Sequence, residues 1–172
     1  MNRIIVGFMG TGKTSVSKVL GRMTGLPCYD VDNWIEKKAG KSIPAIFAEE
    51  GEAGFRKRES EALKALLAQD GCILSGGGGI VLREENVAMM KERGIVFCLT
   101  ASPETIYRRV GKDENRPNLD GYRSPKGIRE LMERREEAYQ RATDVRIDTD
   151  GKSVEEVAAE ILRVSGKAGN HE

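Results

Sequence analysis

Short runs of consecutive apolar residues alternate along this chain with longer stretches in which apolar residues recur every three or four positions. The runs at 3–8, 28–30, 72–74, 95–99 and 145–147 are too short for helices and predict strands. The periodic stretches at 13–23, 33–39, 52–68, 84–92, 103–110, 128–141 and 154–164 predict helices. The punctuation agrees. Gly25 and Pro27 close the first helix, Gly40 ends the second and Gly94 stops the helix at 84–92. Ser42 caps a short additional helix, with Pro44 in its first turn where a missing N–H does no harm. The stretch 111–124 is polar, holds Pro117 and Gly121 and has no apolar period, so it reads as a mobile loop without apolar anchors. Residues 166–172 read as a disordered tail. Strand–helix alternation implies an α/β fold whose parallel sheet, of about five strands, is covered on both faces. Neither an internal repeat nor a linker interrupts it, so one domain over 1–165 is expected. Ligands of such a sheet collect at the carboxyl ends of its strands.

Composition narrows the function classes. The chain has 172 residues, 39% of them apolar and 32% charged, an ordinary balance for one domain with its own core. Lysine plus arginine is 28 and aspartate plus glutamate 27, so the net charge of +1 argues for neither a nucleic acid nor a membrane surface as partner. No apolar run approaches the length of a membrane span, and the run Ile4-Ile5-Val6 near the start lacks the layout of a signal peptide. The three cysteines, Cys28, Cys72 and Cys98, lie in or beside apolar runs and are expected to be buried free thiols. The single histidine is His171, so histidine is not expected as the general base, nor a zinc site.

The sharpest chemical signal is Gly7-Phe8-Met9-Gly10-Thr11-Gly12-Lys13-Thr14, which fits G-x-x-x-x-G-K-[ST] between an apolar strand and a helix. Glycines let the backbone wrap closely around phosphates. The N–H groups of Gly10, Thr11, Gly12, Lys13, Thr14 and Ser15 then face the negative charge at a helix N-terminus. Lys13 reaches the β- and γ-phosphates, and the Thr14 hydroxyl is a magnesium ligand. A bare glycine-rich turn would not need this strand and helix on either side. The pattern identifies a P-loop phosphotransferase; it does not name the phosphoryl acceptor.

Other segments are ambiguous one at a time. In Asp30-Val31-Asp32 the two carboxylates project alike if the second strand continues, and would then share a cation or a substrate hydroxyl proton. Equally, they form a solvated turn with an N-cap aspartate for the helix from Asn33. Gly76-Gly77-Gly78-Gly79 follows a strand and suggests close approach of a ligand to the backbone, or an elaborate turn. Phe55-Arg56-Lys57-Arg58-Glu59 and Arg134-Arg135 read on their own as solvated faces. Arg116-Pro117 in the loop is more suggestive, because an arginine on a closing loop can neutralise a transferring phosphoryl group.

Taken as an ordered set, these pieces resemble the shikimate kinases. The resemblance rests on the phosphate loop, on Tyr29-Asp30-Val31-Asp32 with Ile35-Glu36 and Gly40-Lys41-Ser42-Ile43, and on Ile46-Phe47, Gly51-Glu52 and Phe55-Arg56 with Glu59. Leu74-Ser75 before the glycines, Arg116-Pro117, and Arg135 with Tyr139 complete it, from Ile4 to about Leu162. It implies a P-loop three-layer sandwich with strand order 2-3-1-4-5 and a mobile lid at about 111–124. It also implies ATP-dependent, magnesium-requiring phosphorylation of the 3-hydroxyl of shikimate, in a cytoplasmic, mostly monomeric enzyme of the chorismate route to aromatic amino acids. By the same resemblance Asp30 sits near magnesium, and Asp32 binds the ring hydroxyls and acts as base or aims the attacking oxygen. Arg56 and Arg135 clamp the carboxylate, and Gly77, Gly78 and Gly79 line the pocket. Arg116 closes over the phosphates and Arg109 flanks the adenine. Two departures stand out: Asn118 where the family's lid usually has leucine, and Asp150-Gly151-Lys152 where many members place a proline near the adenine. The alternatives are a P-loop kinase for another small hydroxy acid such as gluconate, and a catalytically silent nucleotide-binding regulator.

Overall fold

The computed structural model describes residues 1–111, 113 and 119–168. Five strands form one parallel sheet: β1 (Asn2–Gly7), β2 (Cys28–Asp30), β3 (Ile73–Ser75), β4 (Gly94–Thr100) and β5 (Val145–Asp148), in the order β2-β3-β1-β4-β5. The period of two along the strands sorts their side chains onto two faces. Ile4, Val6, Leu74, Val96 and Cys98 enter one apolar cluster; Ile5, Ile73, Phe97, Leu99 and Ile147 enter the other. Both faces are covered, which is why the strands read as unbroken apolar runs.

The second cluster is closed by α1 (Lys13–Thr24) and α7 (Val154–Ala168), through Val16, Val19, Leu20, Val157 and Ile161. The first is closed by α2 (Val31–Ala39), α3 (Ile43–Leu67), α4 (Glu84–Arg93), α5 (Pro103–Val110) and α6 (Pro125–Ala142). Among the described residues, no helix is long and apolar enough to cross a membrane.

Several expectations need correction. The short helix capped by Ser42 and the long one after it are joined as α3 across a kink at Gly51, whose φ of 72° and ψ of −179° are not helical. Gly94 does not merely stop α4; it is extended and begins β4. A 3₁₀ turn at Ile80–Leu82 was not anticipated. α6 starts at Pro125 because Ser124 accepts from the Gly127 N–H and Pro125 sits in the first turn, a Ser-Pro signal masked by the polar surroundings. Cys28 is exposed, whereas Cys72 and Cys98 are buried; all three are free thiols. α7 continues to Ala168, into the segment expected to be disordered; 169–172 lie outside the described residues.

The loop expected to lack apolar anchors has one. Leu119 is fully buried in the larger cluster, and Tyr122 packs against it. Arg123 donates from Nη1 to the carbonyl oxygens of Gly111 at 3.3 Å and Asp113 at 2.8 Å. Residues 112 and 114–118, including Arg116, Pro117 and Asn118, lie outside the described residues.

Candidate active site

A cavity of about 680 Å³ opens at the carboxyl ends of β1, β2 and β3, a size typical of small-molecule sites. The loop between β1 and α1 forms its floor. Gly10 and Gly12 have φ of 79° and 89°, a left-handed conformation that a side chain would strain. Gly12 is the N-cap of α1; no side chain caps the helix and no acidic residue lies in its first turn. The first N–H groups of α1 are thus left to an anionic ligand, as at other phosphate-binding helix starts. Lys13 Nζ donates to the carbonyl oxygens of Gly7 at 2.8 Å and Phe8 at 3.1 Å, lying along the inner edge of the loop. The Thr11 hydroxyl is buried on Phe8 O at 2.8 Å, so Thr11 offers the cavity its backbone rather than its side chain. Ser15 lines the wall beside Thr14.

Thr14 donates its hydroxyl to Asp30 Oδ2 at 3.0 Å, while Asp30 Oδ1 accepts from the Asn33 N–H, also at 3.0 Å. Asp30 is therefore the N-cap of α2 and a partner of the loop threonine at once, so the capping reading of this aspartate is the one seen. Asp32 departs from the strand expectation. β2 ends at Asp30, and the cap starts α2 at Val31, so Asp32 sits in the first helical turn rather than two places along a strand. The hydroxyl–carboxylate pair of Thr14 and Asp30 is an all-oxygen donor set at the phosphate loop, which fits a magnesium ion that keeps several of its waters.

The glycine run places four charged side chains together. A Cβ built on Gly77 would lie 3.1 Å from both Asp32 Oδ1 and Glu59 Oε2; one on Gly78 would lie 3.6 Å from Arg135 Nη1; one on Gly79 would overlap the Arg56 guanidinium. Close approach to the backbone is real, and side chains of the protein itself make it. Arg56 Nη1 donates to Glu59 Oε1 at 3.0 Å, and its Nη2 is 3.5 Å from Glu52 Oε1. Arg56 and Arg135 are each 7% exposed and Glu59 is 0% exposed, so neither arginine lies on a solvated face. Their neighbours in sequence are the solvated ones: Arg58 pairs with Glu50, and Arg134 covers Tyr122. Arg56 Nε and Nη2, Arg135 Nη1 and Glu59 Oε2 are buried without hydrogen-bond partners. Buried donors in that condition call for an acceptor. Burial pushes the Glu59 carboxyl up to about 7, against the opposing pull of Arg56. Arg56, Arg135 and Gly79 stand behind the cavity wall, while Asp32, Gly77 and Gly78 form it.

The other end of the cavity is lined by Arg109, Thr149, Lys152 and Val154. Arg109 is exposed and donates from Nη1 to Gly10 O at 2.7 Å. Thr149 and Lys152 carried no site role in the sequence reading; their place just beyond β5, at the carboxyl edge of the sheet, was the available signal. Glu59 and Tyr139 were noticed only as parts of motifs. Helical spacing could have found them. Arg56 and Glu59 occupy the same buried stripe of α3 as Ala62, Leu63 and Leu66; Arg135 and Tyr139 share that of α6 with Ile128 and Leu131. A charge at a core-facing position needs a partner.

Comparison with known proteins agrees with this geometry. A family model described as shikimate kinase matches residues 9–165. A shikimate kinase of Thermodesulfovibrio yellowstonii is 40% identical over 169 residues, 98% of this chain and 97% of that protein. One from Geobacter sulfurreducens is 44% identical over 160 residues, 93% of this chain and 88% of its own. Among solved structures, the shikimate kinase from Acinetobacter baumannii in complex with shikimate superposes with a TM-score of 0.93 at 34% identity, covering 99% of this chain and 95% of that one. With its P-loop at the carboxyl end of the central strand of a 2-3-1-4-5 sheet and these relatives along nearly its whole length, the chain belongs to the shikimate kinase family.

Proposed function

We propose that this chain transfers the γ-phosphoryl group of ATP to the 3-hydroxyl of shikimate, giving shikimate 3-phosphate and ADP. The observation that carries the acceptor is the pair of buried guanidinium groups, Arg56 and Arg135, lying with Asp32 along one glycine run beside the phosphate loop. Shikimate has a carboxylate at one end of its ring and hydroxyls at the other. Forked guanidinium donors suit the first and a carboxylate suits the second. The solved relative bound to shikimate supports the same acceptor.

Phosphoryl transfer to an alcohol depends on positioning and charge neutralisation more than on a strong base. The N–H groups at the start of α1 hold the β- and γ-phosphates, and Lys13 neutralises the charge spreading over them. Asp32 accepts from the acceptor hydroxyl, aims its oxygen at the γ-phosphorus and takes its proton. Arg56 and Arg135 fix the far end of the ring. Arg109 flanks the adenine, and Arg116 closes over the phosphates. Thr14 and Asp30 would hold the magnesium ion, which supplies charge neutralisation for the phosphate oxygens. The protein is read as a cytoplasmic monomer. An assay coupling ADP release to a panel of acceptors tests the proposal. Strong turnover is expected with shikimate and little with gluconate or nucleoside monophosphates. Preference for another acceptor would overturn the substrate while leaving the phosphate loop's role intact.

A further inference from the structure

The charges around the glycine run balance before any acceptor arrives. Arg56 and Arg135 contribute two positive charges; Asp32 and Glu59 contribute two negative ones. Glu52 also faces Arg56, but its side chain is 63% exposed and its charge is screened by water. An anionic acceptor entering beside these four groups adds a third negative charge to their two positive and two negative ones. A third anion beside a fully buried carboxyl favours the neutral form of that carboxyl. We propose that shikimate binding is coupled to uptake of a proton by Glu59, so that the acceptor's carboxylate replaces the Glu59 carboxylate as counter-ion of Arg56. This rests on the assignment of the acceptor's carboxylate to Arg56 and Arg135.

The geometry singles out Glu59. It is the one member of the four that is 0% exposed. Its Oε1 is held by Arg56, and its Oε2 is buried without a hydrogen-bond partner, close to Gly77. Once protonated, Glu59 remains beside Arg56 as a neutral acid, and the guanidinium charge is free to answer the acceptor. The groups facing Glu59 are Arg56 on its own helix, Asp32 from α2, and Arg135 and Tyr139 from α6. Arg83, at the start of α4, is engaged with Arg56 O, Ser60 and Glu85 instead. The two aspects agree in direction: burial already holds this carboxyl up to about 7. A further anion nearby pushes it higher, so the bound state is protonated where the free state is mostly ionised. Shikimate's own carboxyl is ionised throughout this range.

Linkage makes this measurable, because uptake of protons on binding and loss of affinity with rising pH are one quantity. Shikimate is titrated into the whole protein by calorimetry at pH 7.5 in two buffers of different ionisation enthalpy. The expected uptake is on the order of half a proton per shikimate, and Kd should rise roughly 6-fold between pH 6.5 and 8.5, for a shift of about one unit on binding. Glu59→Gln, checked for fold by circular dichroism, should lose the buffer dependence and flatten the pH profile. A purely structural Glu59 would shift the affinity of that variant without changing its slope. Binding to the wild-type protein with identical heats in both buffers would overturn the coupling and leave the acceptor assignment standing. Absence of any shikimate binding would overturn both. The wild-type comparison decides the matter even where Glu59→Gln does not fold.

Discussion

The Tyr139 hydroxyl donates to the carbonyl oxygen of Gly78, tying the helix that carries Arg135 to the glycine run beside Asp32 and Glu59. Tyr139 is 4% exposed, and burial pushes its phenol well above its ordinary range, so it stays a donor at any working pH. Tyr139→Phe removes that donor and leaves the Gly78 carbonyl one partner short. We expect about 1–3 kcal/mol of lost stability and a several-fold higher KM for shikimate, with KM for ATP little changed. Thermal melts and steady-state kinetics check the split; a raised KM for ATP alone would place the effect elsewhere.

Leu119 anchors the return of the 111–124 loop to the core. It is fully buried although its sequence neighbours are polar. Leu119→Ala should cost about 2–5 kcal/mol, as for other buried leucines, read by urea denaturation. A loop residue without an anchoring role would lose less than about 0.5 kcal/mol.

Part of this architecture was legible from local pattern. The β1–loop–α1 unit needs only a strand, glycines at fixed offsets and a helix, and all of that lies within a few turns of chain. The sheet likewise follows from apolar runs between periodic stretches. The acceptor end was not legible in this way. Arg56, Lys57 and Arg58 look alike as a charge cluster, and so do Arg134 and Arg135; what separates them is that Arg56 and Arg135 fall on the buried stripes of α3 and α6, where they stack near Phe55 and Phe8. Asp32 was misplaced because an Asp-Val-Asp segment suits a strand end and a helix start equally; the Asp30 cap decides between them. Leu119 is a lone apolar residue, and periodicity needs more than one.

The buried carboxyl of Glu59 predicts how stability varies with pH. Its value rises from an ordinary 4.5 to about 7 on folding. The folded state therefore binds more protons than the unfolded state between those limits, and stability falls as pH rises through them. The loss is on the order of 3 kcal/mol and is complete above about pH 7. Below the unfolded value the effect is absent. Urea midpoints from pH 5 to 8 measure it, and Glu59→Gln should remove this component of the slope. The same slope in wild type and variant would refute the assignment.

Lys13 donates to two carbonyl oxygens of the phosphate loop and is not part of the apolar core. Lys13→Ala should thus leave the fold intact while lowering kcat at least about 10²-fold, the scale for losing one charge-stabilising donor. A folded variant with near-normal turnover would contradict the role of Lys13.

Asp32 lies within the cavity wall, next to Gly77. The first turn of α2 holds it there, started by a cap that also engages Thr14. Asp32→Asn preserves the shape and the acceptor oxygen but removes the charge and the place for a proton. ATP binding should survive, because the phosphates are held by α1 and Lys13. Turnover should fall by roughly 10²-fold or more if Asp32 takes the hydroxyl proton. A rise in KM for shikimate with kcat near normal would assign Asp32 to binding alone. Native turnover of shikimate by Asp32→Asn would remove Asp32 from the mechanism, and the acceptor hydroxyl would then be aimed by the glycine backbone at Gly77 and Gly78.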